Sequence, residues 1–385
     1  MKQKNIVLAS MLLIVVLSPA VAGDGVFSGM VRDYATLRFD QGDMPVHEIT
    51  ADLTYDYYGD LGKLTLHPVA YSTPNEGVAL DLQEAYFDFY LQDADLRVGK
   101  QKVIWGEAEG AFITDLVSPR DMRSFILADF TEIRKAVPAI KVDYYAGDYT
   151  LQGIWVTHFI PTTLPSQDSI WKQTPSLDPA LASATIKEAT MPDASLENSE
   201  VFLSLGRFGN TISWKVNGGY VFTDEPLVTE ITPSAPPTIS QGYEQYGFVG
   251  GSFNTTIGSV VLRGEAALAL EKPFNTVDTS AGLPAFSTEY HNQVQTLVGL
   301  DWNMLGAQWS TQYLLTYTHD HNDTLVSQMK RVKEYAHTLT FRVQDTFLDE
   351  RLTAKIFTYV ELDPANALIR PSLSYNFGDG VLLEG

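Results

Sequence analysis

The chain has 385 residues, no cysteine and a net charge of −21. Without cysteine there is no disulfide scaffold and no thiolate-held metal or haem; so acidic a chain is also no general binder of nucleic acid, whose phosphates need a basic face. Its 28 Gly, 19 Tyr and 19 Phe and a mean hydropathy near zero fit a soluble protein or a membrane barrel whose alternating strands average out.

Residues 1–22 read as a secretory leader for the Sec pathway. Lys2 and Lys4 form a charged start, Ile6 to Leu17 is almost wholly apolar, and Pro19-Ala20-Val21-Ala22 offers small residues for cleavage. Processing there removes two lysines and no acids, moving the net charge from −21 to −23. No later apolar run approaches the ~20 residues of a membrane helix.

Beyond the leader, alternation dominates. Ile49, Ala51, Leu53, Tyr55 and Tyr57 alternate with Glu48, Thr50, Asp52, Thr54 and Asp56, and the same dyad recurs at 211–223, 307–318, 334–345, 352–362 and 368–377. These runs reach ten residues or more, against the ~5–6 of globular strands. Strands of ~9–11 residues with one apolar and one polar face suit a membrane wall. Short joints such as 58–61, 146–148 and 377–380 alternate with long ones at 105–136, 160–198, 224–242 and 271–290. That asymmetry predicts a transmembrane antiparallel β-barrel over 23–385, with tight turns on the periplasmic side and 160–198 as a long outer loop. Sixteen strands can be counted, and residues 381–384 open a seventeenth. Eighteen is the expectation if the chain is a C-terminally truncated fragment.

Two irregularities precede the polar insertion at 105–136. In 78–91 the apolar phase switches from Val78, Leu80 and Leu82 to Phe87, Phe89 and Leu91. In 96–105 the phase of Leu96 and Val98 would carry Lys100 and Lys102 to the lipid face, and a bulge at Gly99 is the expected remedy. Within 105–136, Ser118, Pro119 and Asp121 read as a helix start, with Met122, Phe125, Ile126 and Phe130 on its apolar side. Such a short helix finds no apolar seat in water, and lipid would strand its charges. The segment is therefore expected to fold inward as a constriction, with a lid packed over the mouth as the alternative.

VGKQKVIWGEAEG (98–110) followed by DLVSPRDMRSF (115–125) resembles an uncharacterised family of porin-like outer-membrane proteins of Gram-negative bacteria. Its signature is G-[RK]-Q-x-x-x-WG, then D-x-x-x-P-x-D-x-R. Gly99, Lys100, Gln101, Trp105, Gly106, Asp115, Pro119, Asp121 and Arg123 match. Lys100 stands where Arg is commoner, Glu109 where Asp is usual, and Ser118 where Asn usually precedes the proline. The resemblance implies an outer-membrane channel, in some cases encoded beside inner-membrane exporters of lipid-like cargo.

Some sixteen strands enclose an aqueous lumen. Lys100, Lys102, Trp105, Glu107, Asp115, Arg120, Asp121, Arg123 and Arg134 are the expected constriction residues. Arg32, Arg38, Asp52, Asp56, Lys215, Arg263, Arg342, Lys355 and Arg370 are the expected lumen wall. Opposed charges there would set up a field that screens polar solutes. The sequence points first to a solute channel, next to the outer port of an export system for hydrophobic or lipid-like cargo, and last to an outer-membrane hydrolase. His319-Asp320-His321 lacks a third ligand, so no metal, cofactor or catalytic group is called for. Expected partners are outer-membrane lipid and lipopolysaccharide, small polar or amphipathic solutes, and a periplasmic or inner-membrane exporter under the second reading.

Overall fold

The structure, a computed structural model, describes residues 8–22, 24–39, 41–73, 77–106, 113–123, 132–165, 169, 171, 181, 183–280, 284–328 and 330–385. The dyads become strands: β1 (Leu8–Ala22), β2 (Gly25–Arg38), β3 (Asp43–Gly59), β4 (Gly62–Thr73), β5 (Gly77–Tyr90), β6 (Ala94–Gln101), β7 (Val137–Ala146) and β8 (Tyr149–Val156). After β9 (Thr185–Ile186) come β10 (Glu200–Arg207), β11 (Ile212–Phe222), β12 (Leu227–Thr232), β13 (Thr238–Gly242), β14 (Gln245–Ile257), β15 (Val260–Asp278) and β16 (Ala285–Met304). The rest are β17 (Ala307–Thr318), β18 (Leu325–Ser327), β19 (Lys330–Arg331), β20 (Tyr335–Phe347), β21 (Leu352–Leu362), β22 (Ala365–Gly378) and β23 (Val381–Glu384).

The main sheet has 20 strands; β18 and β19 hang on its outer extension, and the other eighteen form a closed antiparallel circuit. The sixteen strands read from the dyads are β2 to β8, β10, β11, β14 to β17 and β20 to β22, and residues 381–384 are indeed a further strand, β23. The eighteenth position is filled by β1, which pairs Leu12 to Val15 with β23 and Leu8 to Ala22 with β2. In this 385-residue chain, the expected leader thus occupies the seam. Its removal would leave β2 and β23 as the two edges there.

The short joints are tight turns. Leu305 (φ 57°) and Gly306 (φ 88°) both take left-handed backbone between β16 and β17, as do Asp379 and Gly380 between β22 and β23. This is the two-residue hairpin geometry that matches strand twist. At the other end, three expected loops are more ordered than their sequences suggested. Strands β15 and β16 run on for 19 and 20 residues, well past the wall, where Pro273 and the polar residues around it had read as loop. Strands β9, β12 and β13 form a small separate sheet over a core of Leu181, Val228 and Ile239. Asn275 of the β15 extension bonds Val228 in both directions, at 2.7 and 2.9 Å.

The phase switch in 78–91 is real and has a definite origin. His67 faces Glu84 while Pro68 faces Leu82, so Gln83 is an extra residue and every side chain beyond it changes face. The bulge expected at Gly99 is absent, because the β5–β6 and β6–β7 registers run through it unbroken. Gly99 instead takes φ +135°, and a Cβ there would lie 2.2 Å from the Ala85 carbonyl oxygen. Gly99→Ala is therefore expected to cost about 2–4 kcal/mol, read as the urea midpoint of the folded barrel. Gly153→Ala, where a Cβ meets nothing within 4 Å, is the control and should be near neutral.

Candidate functional site

Strand β6 ends at Gln101, whose buried amide donates to the Ala139 carbonyl at 2.9 Å. The chain then leaves the wall and rejoins it only at Val137. Backbone groups freed by that departure need partners, and two come from further along. Val103 N–H donates to Ser118 Oγ at 2.8 Å, and Trp105 N–H to Asp115 Oδ1 at 2.9 Å. Asp115 also receives Arg134, whose Nε lies 2.6 Å from Oδ2, with both side chains almost wholly buried. One carboxylate therefore ties together the beginning, middle and end of the segment.

The first arm seats on the inner wall of β7 to β14. Val103, Trp105 and Val117 pack with Ala139, Ile154, Val156, Phe202, Val221 and Phe248. Trp105, 2% exposed, sets its ring edge-on to Phe202 at 5.6 Å and donates its indole N–H to Gln152 at 2.5 Å. From this seat the segment reaches the far side. The N–H and hydroxyl of Thr114 both donate to Glu265 Oε1 on β15 at 2.6 Å. Ile113 packs against Ala267, Leu297 and Leu314 on β15, β16 and β17. These strands lie six to eight places from β6 in a circuit of eighteen, nearly opposite. On the way back, Glu132 accepts two N–H groups of Arg32 on β2, both at 2.8 Å.

No helix begins at Pro119. Asp121 N–H donates to the Ile133 carbonyl at 2.6 Å and Lys135 N–H to that of Pro119 at 2.7 Å. Met122 and Thr163 N–H groups complete a second ladder, donating to the Thr163 and Arg120 carbonyls, both at 2.8 Å. Bonds to Ile133, Lys135 and Thr163, outside the wall strands, replace the local helical ladder, and Ser118 caps Val103 rather than a helix. Phe125, Ile126 and Phe130, on the expected apolar face, lie outside the described residues, as does Glu107.

The other expected constriction residues gather along this segment. Arg120 reaches Asp224 at 3.3 Å, in the joint after β11. Arg123, with a side chain 53% exposed, is held by Asp121 at 2.6 Å and lies over the Tyr71 ring at 6.0 Å. Hydrogen bonding to Asp121 raises the Arg123 guanidinium above its usual range, so it stays charged. Lys100 Nζ donates to the Leu82 carbonyl at 2.6 Å with Asp81 at 3.5 Å, and Lys102 Nζ donates to Gln83 at 3.0 Å. The bulge at Gln83 brings these acceptors within reach.

On the wall, Asp52 meets His67 at 2.8 Å, Asp56 meets Lys63 at 3.0 Å, Arg38 meets Asp43 at 2.6 Å and Arg263 pairs with Asp301. Lys215 shares its register row with Ser252. Arg342 and Arg370 flank Phe357 from neighbouring strands, and Lys355 sits between Gln344 and Ser372.

Residues 66–360 match the model of a family described as "Protein of unknown function (DUF1302)". This chain belongs to that family. No curated protein matches the DUF1302 chain. Solved structures similar to it include OmpT of Vibrio cholerae in a trimer form (TM-score 0.46, 9% identity, covering 98% of this chain and 97% of that one). Another is an anion-selective porin from Comamonas acidovorans (0.47, 10%, 99% and 99%). A third is a mutant of Rh. blastica porin (0.43, 11%, 99% and 99%). Identities and overlaps at this level say nothing of what the DUF1302 chain carries.

Sequence reading of the DUF1302 chain missed Glu265, Gln152, His67, Glu84 and Asp224. Each is a single polar residue whose partner lies on another strand or loop, as His67 meets Asp52 and Glu84 accepts the Lys102 N–H at 2.9 Å; a lone Glu265 amid apolar Ala266 to Leu268 was the most visible of these signals. The Asp115–Arg134 pair sets an expectation of its own. Arg134→Gln strands a buried carboxylate and should destabilise the segment by about 3–5 kcal/mol. The Trp105 emission shift in urea reads this, and Asp115→Asn together with Arg134→Gln should recover part of the loss. An unchanged midpoint in the single variant would mean that the pair does not hold the segment.

Proposed function

We propose that this protein is an outer-membrane channel for solutes whose conducting path is set by the segment between β6 and β7. The observation that carries this reading is the span itself: one segment bonded to Gln152, Glu265 and Arg32 on widely separated strands of a closed barrel. A closed circuit leaves no unpaired edge, which is what hydrocarbon demands of strands. The exterior supports a lipid setting. On β10, Val201, Leu203 and Leu205 point out, Leu203 being 60% exposed, while Phe202 and Ser204 are buried. Aromatic side chains gather near the short turns, among them Tyr149 with Trp214 and Trp302 with Trp309 and Phe341. Tyr313, Tyr317 and Tyr335 cluster toward the long loops, so two girdles flank the apolar band.

In this reading the solute passes beside the segment, past Arg123, Asp121 and Lys100, and meets the charged wall of Arg263, Arg342, Lys355 and Arg370. On the same reading the protein has no catalytic role. A second reading, an export port for amphipathic cargo, is favoured by one feature: the inner wall under Trp105 is apolar, so movement of the segment would uncover an apolar path. The purified full chain in a planar bilayer separates the two. A channel gives discrete conductance steps without substrate or partner. Folded, heat-modifiable protein that inserts but never conducts would overturn the channel and leave the port.

A further inference from the structure

The second arm of the segment is tied to the outer joints by a compact ionic contact that the span does not require. Arg120 N–H donates to Thr162 Oγ1 at 3.1 Å, its guanidinium meets Asp224 at 3.3 Å, and Thr162 N–H donates to the Asp224 carbonyl at 3.2 Å. The three elements thus close on one aspartate that lies beyond the end of β11. We propose that Arg120–Asp224 is a proton-sensitive latch through which acidification on the long-loop side loosens the lumen segment. The proposal rests on the channel reading only for its consequence, a change in conduction; the loosening stands or falls separately.

The surroundings give Asp224 its sensitivity. Arg120 and Asp115 face it from the segment, Glu225 adjoins it, and Lys272 comes from the β15 extension. Tyr243 and Tyr246 lie on the β14 side, with Glu188 and Glu200 beyond them. Burial pushes the Asp224 carboxyl up to about 6, against the pull of Arg120 and Lys272. The two effects act on different things when a proton arrives. Protonation relieves the burial cost of the carboxylate, so on this account the joint itself stays folded, or firms slightly, as pH falls through 6 toward the unfolded value. It also cancels the attraction to Arg120, leaving Arg120 and Lys272 as like charges near a neutral acid. The segment loosens while the barrel holds.

Hydrogen exchange of residues 116–123 in the membrane-inserted full chain, corrected for the intrinsic pH dependence, reads the latch without reference to conduction. Between about pH 7.5 and pH 5 it should rise about fivefold in the wild type. Asp224→Asn, of nearly the same shape, should exchange fast at both values. Equal exchange of the wild type at the two pH values overturns the latch, and so does a pH step that survives in Asp224→Asn. Conductance traces under the same conditions then test the channel: a step in exchange with no current at either pH upholds the latch and removes the channel reading.

Discussion

Backbone carried through hydrocarbon must pair every N–H and C=O within the protein, and a closed circuit of strands is the sheet's answer to that demand. Everything else in this molecule follows from the closure. With no edge available, the chain between β6 and β7 cannot lengthen the sheet. With an apolar exterior, it cannot lay Asp115, Arg120, Asp121 and Arg134 against lipid. The interior is what remains, and there the segment brings its own partners: Asp115 serves both Trp105 N–H and Arg134.

The inner wall is correspondingly divided. Strands β8, β10 and β14 present Ile154, Val156, Phe202 and Phe248 inward, a surface that water would not favour, and the segment covers it with Val103, Trp105 and Val117. Strands β2 to β5 and β15 to β22 carry the ionic side chains, many in pairs such as His67–Asp52 and Arg263–Asp301. The segment is fixed to both halves, by apolar packing on one and by hydrogen bonds to Glu265 and Arg32 on the other. On the proposed channel reading, solute is left the polar side, and the segment's second arm forms part of that boundary.

Much of this was legible in the residues. The dyads named the wall strands, because a period of two is a direct consequence of pleating. The switch of phase between Leu82 and Phe87 announced the bulge at Gln83. For 105–136 the residues offered a reason for an inward course, apolar and charged side chains that no single solvent satisfies, and Trp105, Thr114 and Val117 are bonded or packed against wall strands. The helix at Pro119 was a misreading with a clear cause: Ser118, Pro119 and Asp121 satisfy a local rule, but Val103 and Ile133, distant in sequence, supply competing bonds. Glu265, His67 and Asp224 were invisible for a related reason, since each is paired with a residue on another element and such a pair leaves no mark on local spacing. The apolar run at 8–22 suits a leader and a strand equally, because neither needs a polar face there.

The central claim is that the segment lies across the conducting path. Its most direct test is the single-channel conductance of a chain lacking residues 112–132, compared with the intact protein in the same bilayer. The account predicts a several-fold rise, because the deletion removes Thr114, which reaches Glu265, and Glu132, which bonds Arg32. A correctly folded deletion with unchanged conductance would place the segment outside the path and contradict it.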